Sequence, residues 1–141
     1  MRRTLTACVA ACLLLACGPD EAFTANFVIT CTLADGAGNP LDQRVMRFTS
    51  YKLDYDGHGL PDTMFDLNED TRLQDSGPAI ADFTVGYTLH RRGDQEERAS
   101  FKCSYGPGSG GLYAEQTTSV SFTQAKASGG YVMRTLSLVA Q

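Results

Sequence analysis

From Asn26 onward, apolar and polar residues alternate with a period of two, the spacing of a strand with one face buried. In "NFVITCTLA", Phe27, Ile29, Cys31 and Leu33 share one face, and Val28, Thr30 and Thr32 the other. "RVMRFTSYKLDY" sets Val45, Arg47, Thr49 and Tyr51 against Met46, Phe48 and Ser50, with a register break before Leu53. "AIADFTVGYTLH" alternates from Ala79 to His90, with Ile80, Val85, Tyr87 and Leu89 as its apolar members. "RASFKCSY", "LYAEQTTSVSFT" and "YVMRTLSLVA" read as further strands. Gly, Pro and Asp clusters separate them: "DGAGNP", "DGHGLPD", "RGDQEE" and "GPGSGG". No long stretch carries a helical stripe with caps. The pattern predicts an all-β chain, an antiparallel β-sandwich of about seven strands.

The first residues follow a different rule. Arg2 and Arg3 precede an apolar, small-residue stretch from Leu5 to Ala16. That is the layout of a secretory signal. About a dozen apolar residues are too few to span a bilayer of ~30 Å, which takes about 20. Leu14-Leu15-Ala16-Cys17 resembles the lipobox of bacterial lipoproteins. The resemblance implies a signal peptide over 1–16, cleavage before Cys17, and acyl chains on Cys17. It also implies a lipid-bilayer anchor in the bacterial cell envelope, with a tether over 17–25 and the domain over 26–141. Gly18 stands where an Asp would act as a retention signal in some enteric lipoproteins, which favours the outer membrane. Two or three acyl chains, at ~0.8 kcal/mol per buried methylene, would make a lasting anchor. An ordinary secretory signal with a chance cysteine, or a buried apolar helix, is the alternative reading.

The lipobox resemblance sorts the five cysteines. Cys8 and Cys12 leave with the signal, Cys17 carries lipid, and Cys31 and Cys103 remain. In an oxidising compartment that pair implies a disulfide, closing a loop of about 70 residues and contributing ~4 kcal/mol on the chain-entropy model. Two separate buried thiols are the alternative. Loss of Arg2 and Arg3 takes the formal charge from −4 to −6. An acidic domain without a Lys/Arg cluster is not built for nucleic acid.

"VITCTLAD" and "ASFKCSYG" are similar to the second and sixth strands of an immunoglobulin-like domain. There a disulfide, here Cys31 to Cys103, bridges two sheets. The chain has no Trp, so Phe48 would fill the central core slot, and Phe101 lacks the hydroxyl of a tyrosine corner. A strand before Cys31 is nearly absent, and one strand is left over at the C-terminus.

Among local motifs, "LDYDGHGLPD" is the sharpest. Asp54, Asp56 and His58 occupy positions one, three and five of a calcium-type loop, Gly59 the sixth and Asp62 the ninth. The stretch resembles the repeats of secreted calcium-binding proteins, with Asp66 as a further acid just past the twelfth position. His58 puts a nitrogen where calcium prefers oxygen. A solvated Asp/Gly turn explains the same residues, and a zinc site through His58 has little else to draw on. Asp54, Asp56, Asp62, Asp66, Glu69, Asp70 and Asp75 together could attract a cation or a basic partner, or simply keep a sheet edge soluble. Arg92-Gly93-Asp94 matches the integrin tripeptide but is also a good hairpin tip. With two histidines and no Gly-x-Ser-x-Gly elbow, no catalytic set stands out.

The expectation is therefore a non-catalytic binding or structural module. It would recognise an envelope protein or a glycan through the 54–75, 91–97 and 104–111 loops. A calcium-dependent module built on Asp54, Asp56, His58, Asp62 and Asp66 is the second reading, and a small hydrolase the third.

Overall fold

A computed structural model describes residues 18–37, 44–67, 79–107 and 114–140. Residues 1–17, where a signal peptide and a lipidated Cys17 are expected, the acids Glu69, Asp70 and Asp75, and the 108–111 part of the glycine loop lie outside the described residues. The elements are β1 (Asp20–Asp35), β2 (Arg44–Leu53), β3 (Pro61–Leu67), β4 (Ala79–Arg92), β5 (Gln95–Glu96), β6 (Arg98–Pro107), β7 (Ala114–Ser121), α1 (Phe122–Ala127) and β8 (Tyr131–Ala140). They form two four-stranded sheets, ordered β5-β4-β1-β8 and β3-β2-β6-β7. The all-β expectation holds.

The period-two pattern explains the packing. Phe27, Ile29, Cys31 and Leu33 of β1 point inward and are buried. On β4 the buried set is Ala81, Phe83, Val85, Tyr87 and Leu89, every second residue. Ile80 falls on the opposite face and is exposed, contrary to its grouping with Val85, because its parity differs. The outer face of this sheet is lined by threonines; Thr24 bonds Thr88 across the β1–β4 pair, and Thr30 donates to Asp82. The register break expected on β2 before Leu53 does not occur, since β2 pairs with β6 without interruption from Arg44↔Pro107 to Leu53↔Arg98; the irregularity lies on β3, where Asp62 is the extra residue between the Ser50↔Thr63 and Tyr51↔Pro61 pairs.

Between the sheets, Cys31 and Cys103 form a disulfide with Cα atoms 5.9 Å apart. Aromatic rings fill the space around it. Phe48 lies opposite Cys103 in the β2–β6 register and stacks on Phe83 of the other sheet at 4.2 Å between centroids. Phe27 meets Phe101 across the gap at 5.1 Å. Such ring pairs contribute about 0.5–1.5 kcal/mol each beyond their burial. Phe48 is fully buried, so it does fill a central core position in a chain without Trp. Two phenols add polar ties between the sheets: Tyr87 donates to Ser50 at 2.7 Å and Tyr105 to the Val139 carbonyl at 2.9 Å.

Four features depart from the sequence reading. Residues 20–25, assigned there to a tether, pair with β4 from Asp20↔Arg92 to Ala25↔Tyr87. Phe23 packs on the core and Ala25 is buried, which is why this part of the chain joins the sheet. Residues 61–67, assigned to an acidic loop, form β3. α1 interrupts what reads as one long strand. Ser121 caps it, accepting from Gln124 N while the Gln124 side chain accepts from Ser121 N, a reciprocal capping box. Last, the sheets are not purely antiparallel: β8 runs parallel to β1, from Asn26↔Tyr131 to Asp35↔Ala140. The reason lies in α1 and its exit turn. They carry the chain from the end of β7 in one sheet to the same end of the other, and β8 then rises alongside β1. Gly129 and Gly130, at φ 73° and 85°, make that turn, and the Gly130 carbonyl accepts from Asn26 N to start the parallel pairing.

The Tyr87–Ser50 bond is buried. Removing the phenol oxygen with Tyr87→Phe deprives the Ser50 hydroxyl of that partner, at an expected cost of about 1–3 kcal/mol. The double variant with Ser50→Ala should recover part of the loss. Chemical denaturation of the four proteins measures the coupling; additive losses would show that the two hydroxyls do not act together.

Candidate functional site

Strand directions give the molecule two ends. β1 starts and β2 finishes at one of them, where residues 54–60, the β4–β5 turn at Gly93-Asp94 and α1 also lie. The other end carries the finish of β1, β6 and β8. The three loops proposed for recognition are thus not gathered into one surface. Residues 54–60 and 91–97 share the first end, whereas 104–107 run toward the second.

The 54–60 loop closes on itself. Asp54 N donates to the His58 carbonyl at 2.8 Å. The Asp54 carboxylate oxygen Oδ1 accepts from Asp56 N at 3.0 Å and from His58 N at 2.7 Å. An Asx turn of this kind fixes the chain with the aspartate's own side chain. The glycines follow from the same geometry. Gly57 sits at φ 82°, and a Cβ on Gly59 would lie 2.3 Å from the Lys52 carbonyl oxygen. Glycine at 59 therefore reflects close backbone packing.

Of the residues proposed for metal, Asp54, Asp56 and His58 lie in this loop. The side chains of Asp62 and Asp66 lie outside the described residues. Their backbone belongs to β3, where Asp66 pairs with Arg47. Four residues of strand separate Asp66 from Asp62 by about 13 Å, so a single twelve-residue coordinating loop is not what this stretch forms. Among the described residues, no group of three or more His, Cys, Asp or Glu side chains gathers at one point.

Glu97 organises this end, and no motif in the sequence marks it. It is the single residue between β5, in one sheet, and β6, in the other. Its N–H donates to the His90 carbonyl at 2.9 Å, and its carbonyl accepts from Phe122 N at 3.1 Å. Its carboxylate oxygen Oε2 accepts from His90 N at 2.9 Å, and His90 Nδ1 lies 2.8 Å away. Lys52 Nζ stands 3.1 Å off, and the side chain is only 13% exposed. Burial by itself would raise the Glu97 carboxyl; hydrogen bonds from His90 and Lys52 outweigh it and hold the group below the usual carboxylate range. Its neighbour Glu96 accepts from the Thr123 hydroxyl at the start of α1.

A second group of charges flanks the entry of the chain into β1. Arg91 bonds Glu21 at 2.7 Å, Arg92 reaches Asp20 at 3.5 Å, and Lys126 lies 3.6 Å from Glu21. The Arg91 and Lys126 cations also lie 5.1 and 5.7 Å from the centroid of the buried Phe122 ring, within the range of cation–π attraction. The Tyr55 hydroxyl donates to Asp20 at 3.4 Å. These contacts tie β1, β4, α1 and the 54–60 loop together; what they do chemically is hold the shape of this end.

No family model, no curated protein and no solved structure matches the chain.

Two measurements test the site. The Glu97 carboxyl is depressed in the folded state, so its contribution is complete above the unfolded pKa of about 4.3 and is lost as pH falls through the folded value. Glu97→Gln should cost about 1–2 kcal/mol at neutral pH and flatten the acid limb of the stability curve; equal pH slopes in both proteins would contradict this. For the loop, Asp54→Asn keeps the oxygen acceptor and should hold the melting temperature, while Asp54→Ala loses it at about 1 kcal/mol. A melting point raised by millimolar calcium and lost in both variants would instead mark an ion site.

Proposed function

We propose that this chain is a bacterial envelope lipoprotein. Cys17 is its acylation site, residues 1–16 are its signal peptide, and the β-domain is a non-catalytic binding or structural module at the outer membrane. The lipobox Leu14-Leu15-Ala16-Cys17 is the observation that carries the reading. Two structural facts agree with it. β1 begins at Asp20, two residues past the motif. The disulfide between Cys31 and Cys103 uses the two cysteines that the lipobox leaves over, and such bonds persist in oxidising compartments.

The domain reads as an immunoglobulin-like sandwich with one rearranged edge. β1 and β6 carry the bridging cysteines in opposite sheets, β2 and β7 flank β6, and β4 flanks β1. The edge beside β1, where a preceding strand would lie, is filled by β8. The absent first strand and the surplus last one are then a single fact. Architecture of this kind presents loops and edges for recognition and does not by itself name a partner; an envelope protein or a glycan is the class proposed.

Cys17→Ser should move the protein from the membrane fraction to the soluble envelope fraction. Intact mass should show the wild-type chain beginning at Cys17 with added acyl groups. An unacylated wild-type chain, or a Cys17→Ser variant that stays in the membrane, would overturn the reading. Crosslinking in cells that carry the anchored protein would identify its partner.

A further inference from the structure

β8 ends its sheet: in the order β5-β4-β1-β8 it hydrogen-bonds β1 alone among the described strands. One bond fixes which way its backbone groups point. Asn26 N donates to the Gly130 carbonyl, and the N–H and C=O of one strand residue lie on the same side. Even-numbered residues of β8 therefore face β1, and Tyr131, Met133, Thr135, Ser137 and Val139 direct theirs to the open side. Pairing with β1 runs unbroken from Tyr131 to Ala140, so no bulge turns the edge away. Its ten residues include no Pro, Lys or acid. A long, regular edge of this kind is a template for another strand unless something blocks it.

The strand that matches it is β8 of a second copy. Turned antiparallel about a two-fold axis at Thr135, two β8 strands set Tyr131 against Val139, Met133 against Ser137, and Thr135 against its own mate. All of these pairs use the backbone groups of the open side. Their side chains share the outer face, where Tyr131, Met133 and Val139 are exposed. An aromatic beside a β-branched residue, and threonine beside threonine, are pairs that favour antiparallel strands.

One side chain stands in the way. Arg134 has the parity of Val132, Leu136 and Leu138, which are buried, yet it is exposed. It bends back over the edge, where Nη1 donates to the Met133 carbonyl at 2.8 Å. That carbonyl belongs to the open side, and the matched pairing would need it for the Ser137 N–H of the second copy. An incoming strand would lie about 4.8 Å from β8, in the space that the guanidinium takes. Pairing would also bring the two Arg134 residues to diagonal positions about 7–8 Å apart, like charges across the new ladder. Nearer the end of β8, the Val139 carbonyl already accepts from the Tyr105 hydroxyl at 2.9 Å. We infer that Arg134 locks this edge: folded onto the Met133 carbonyl, it keeps β8 from pairing with a second copy, and the domain is a monomer. The β8 edge is then a self-pairing surface held shut by a contact within its own strand. Cys17 takes no part in that contact, so the lock holds with or without an acyl group.

Light scattering on the purified full-length chain, read as the mass of its protein component, tests the lock. The wild type should be a monomer. Arg134→Thr and Arg134→Ser remove the guanidinium from an exposed position and should double the mass at the same concentration, with melting temperatures no lower than that of the wild type. Adding Thr135→Lys to Arg134→Thr sets a lysine against its own mate at the two-fold axis and should restore the monomer. A dimeric wild type, or folded Arg134 variants that stay monomeric, would overturn the inference. So would an Arg134→Thr dimer that survives Thr135→Lys, because its contact would lie outside β8. A melting temperature sharply lowered in both single variants would also overturn it, since Arg134 would then be a support of the fold.

Discussion

Everything in this domain hangs on the contact between its two sheets at Cys31 and Cys103. A single covalent bond joins β1, in the middle of one sheet, to β6, in the middle of the other. By the chain-entropy argument, a link across 72 residues stabilises by roughly 4 kcal/mol, a large share of the roughly 5–15 kcal/mol that small domains have in total. Its surroundings suit it. Ala81, the partner of Cys31 on β4, is small enough to leave room, and Phe48 beside Cys103 closes the space with its stack on Phe83. With the sheets fixed there, the remaining strands need only alternate correctly to bury their apolar faces.

That division of labour decides what could be read from the sequence. β1, β4 and β6 alternate closely, broken only by an outward apolar residue such as Val28 or Ile80, one face meets the core, and the period of two announces them. β3 is harder. "PDTMFDL" begins with Pro and contains two acids, so its composition reads as loop. α1 is six residues long, too short for a helical stripe. Ser121 and Gln124 at capping-box spacing, followed by Gly129-Gly130, were the signal available for it. That β8 runs parallel to β1 is not a property of either strand's sequence. It follows from where α1 delivers the chain, a tertiary outcome that period-two patterning does not encode.

The chemistry was less legible than the fold. The motif that stood out, Asp54 to Asp62, turns out in its described part to be a turn held by the Asp54 carboxylate and by the close approach of Gly59 to Lys52. The residue that matters most at that end, Glu97, is one of two adjacent glutamates in a hairpin. Nothing in its neighbourhood distinguishes it from Glu96 until the fold brings Lys52 and His90 to its carboxylate. A charged residue where the chain changes sheets must be paired to be buried, and that pairing comes from strands distant in sequence. The lipobox resemblance was the reverse case: it is a local signal, legible from Leu14 to Cys17 without the fold.

The cross-sheet bond is also the point most open to direct test. The purified protein would be denatured without reductant, treated with an alkylating reagent and digested. The expected result is a linked peptide pair containing Cys31 and Cys103, with neither thiol alkylated. Recovery of both cysteines as separate alkylated peptides would contradict the disulfide-clamped domain described above.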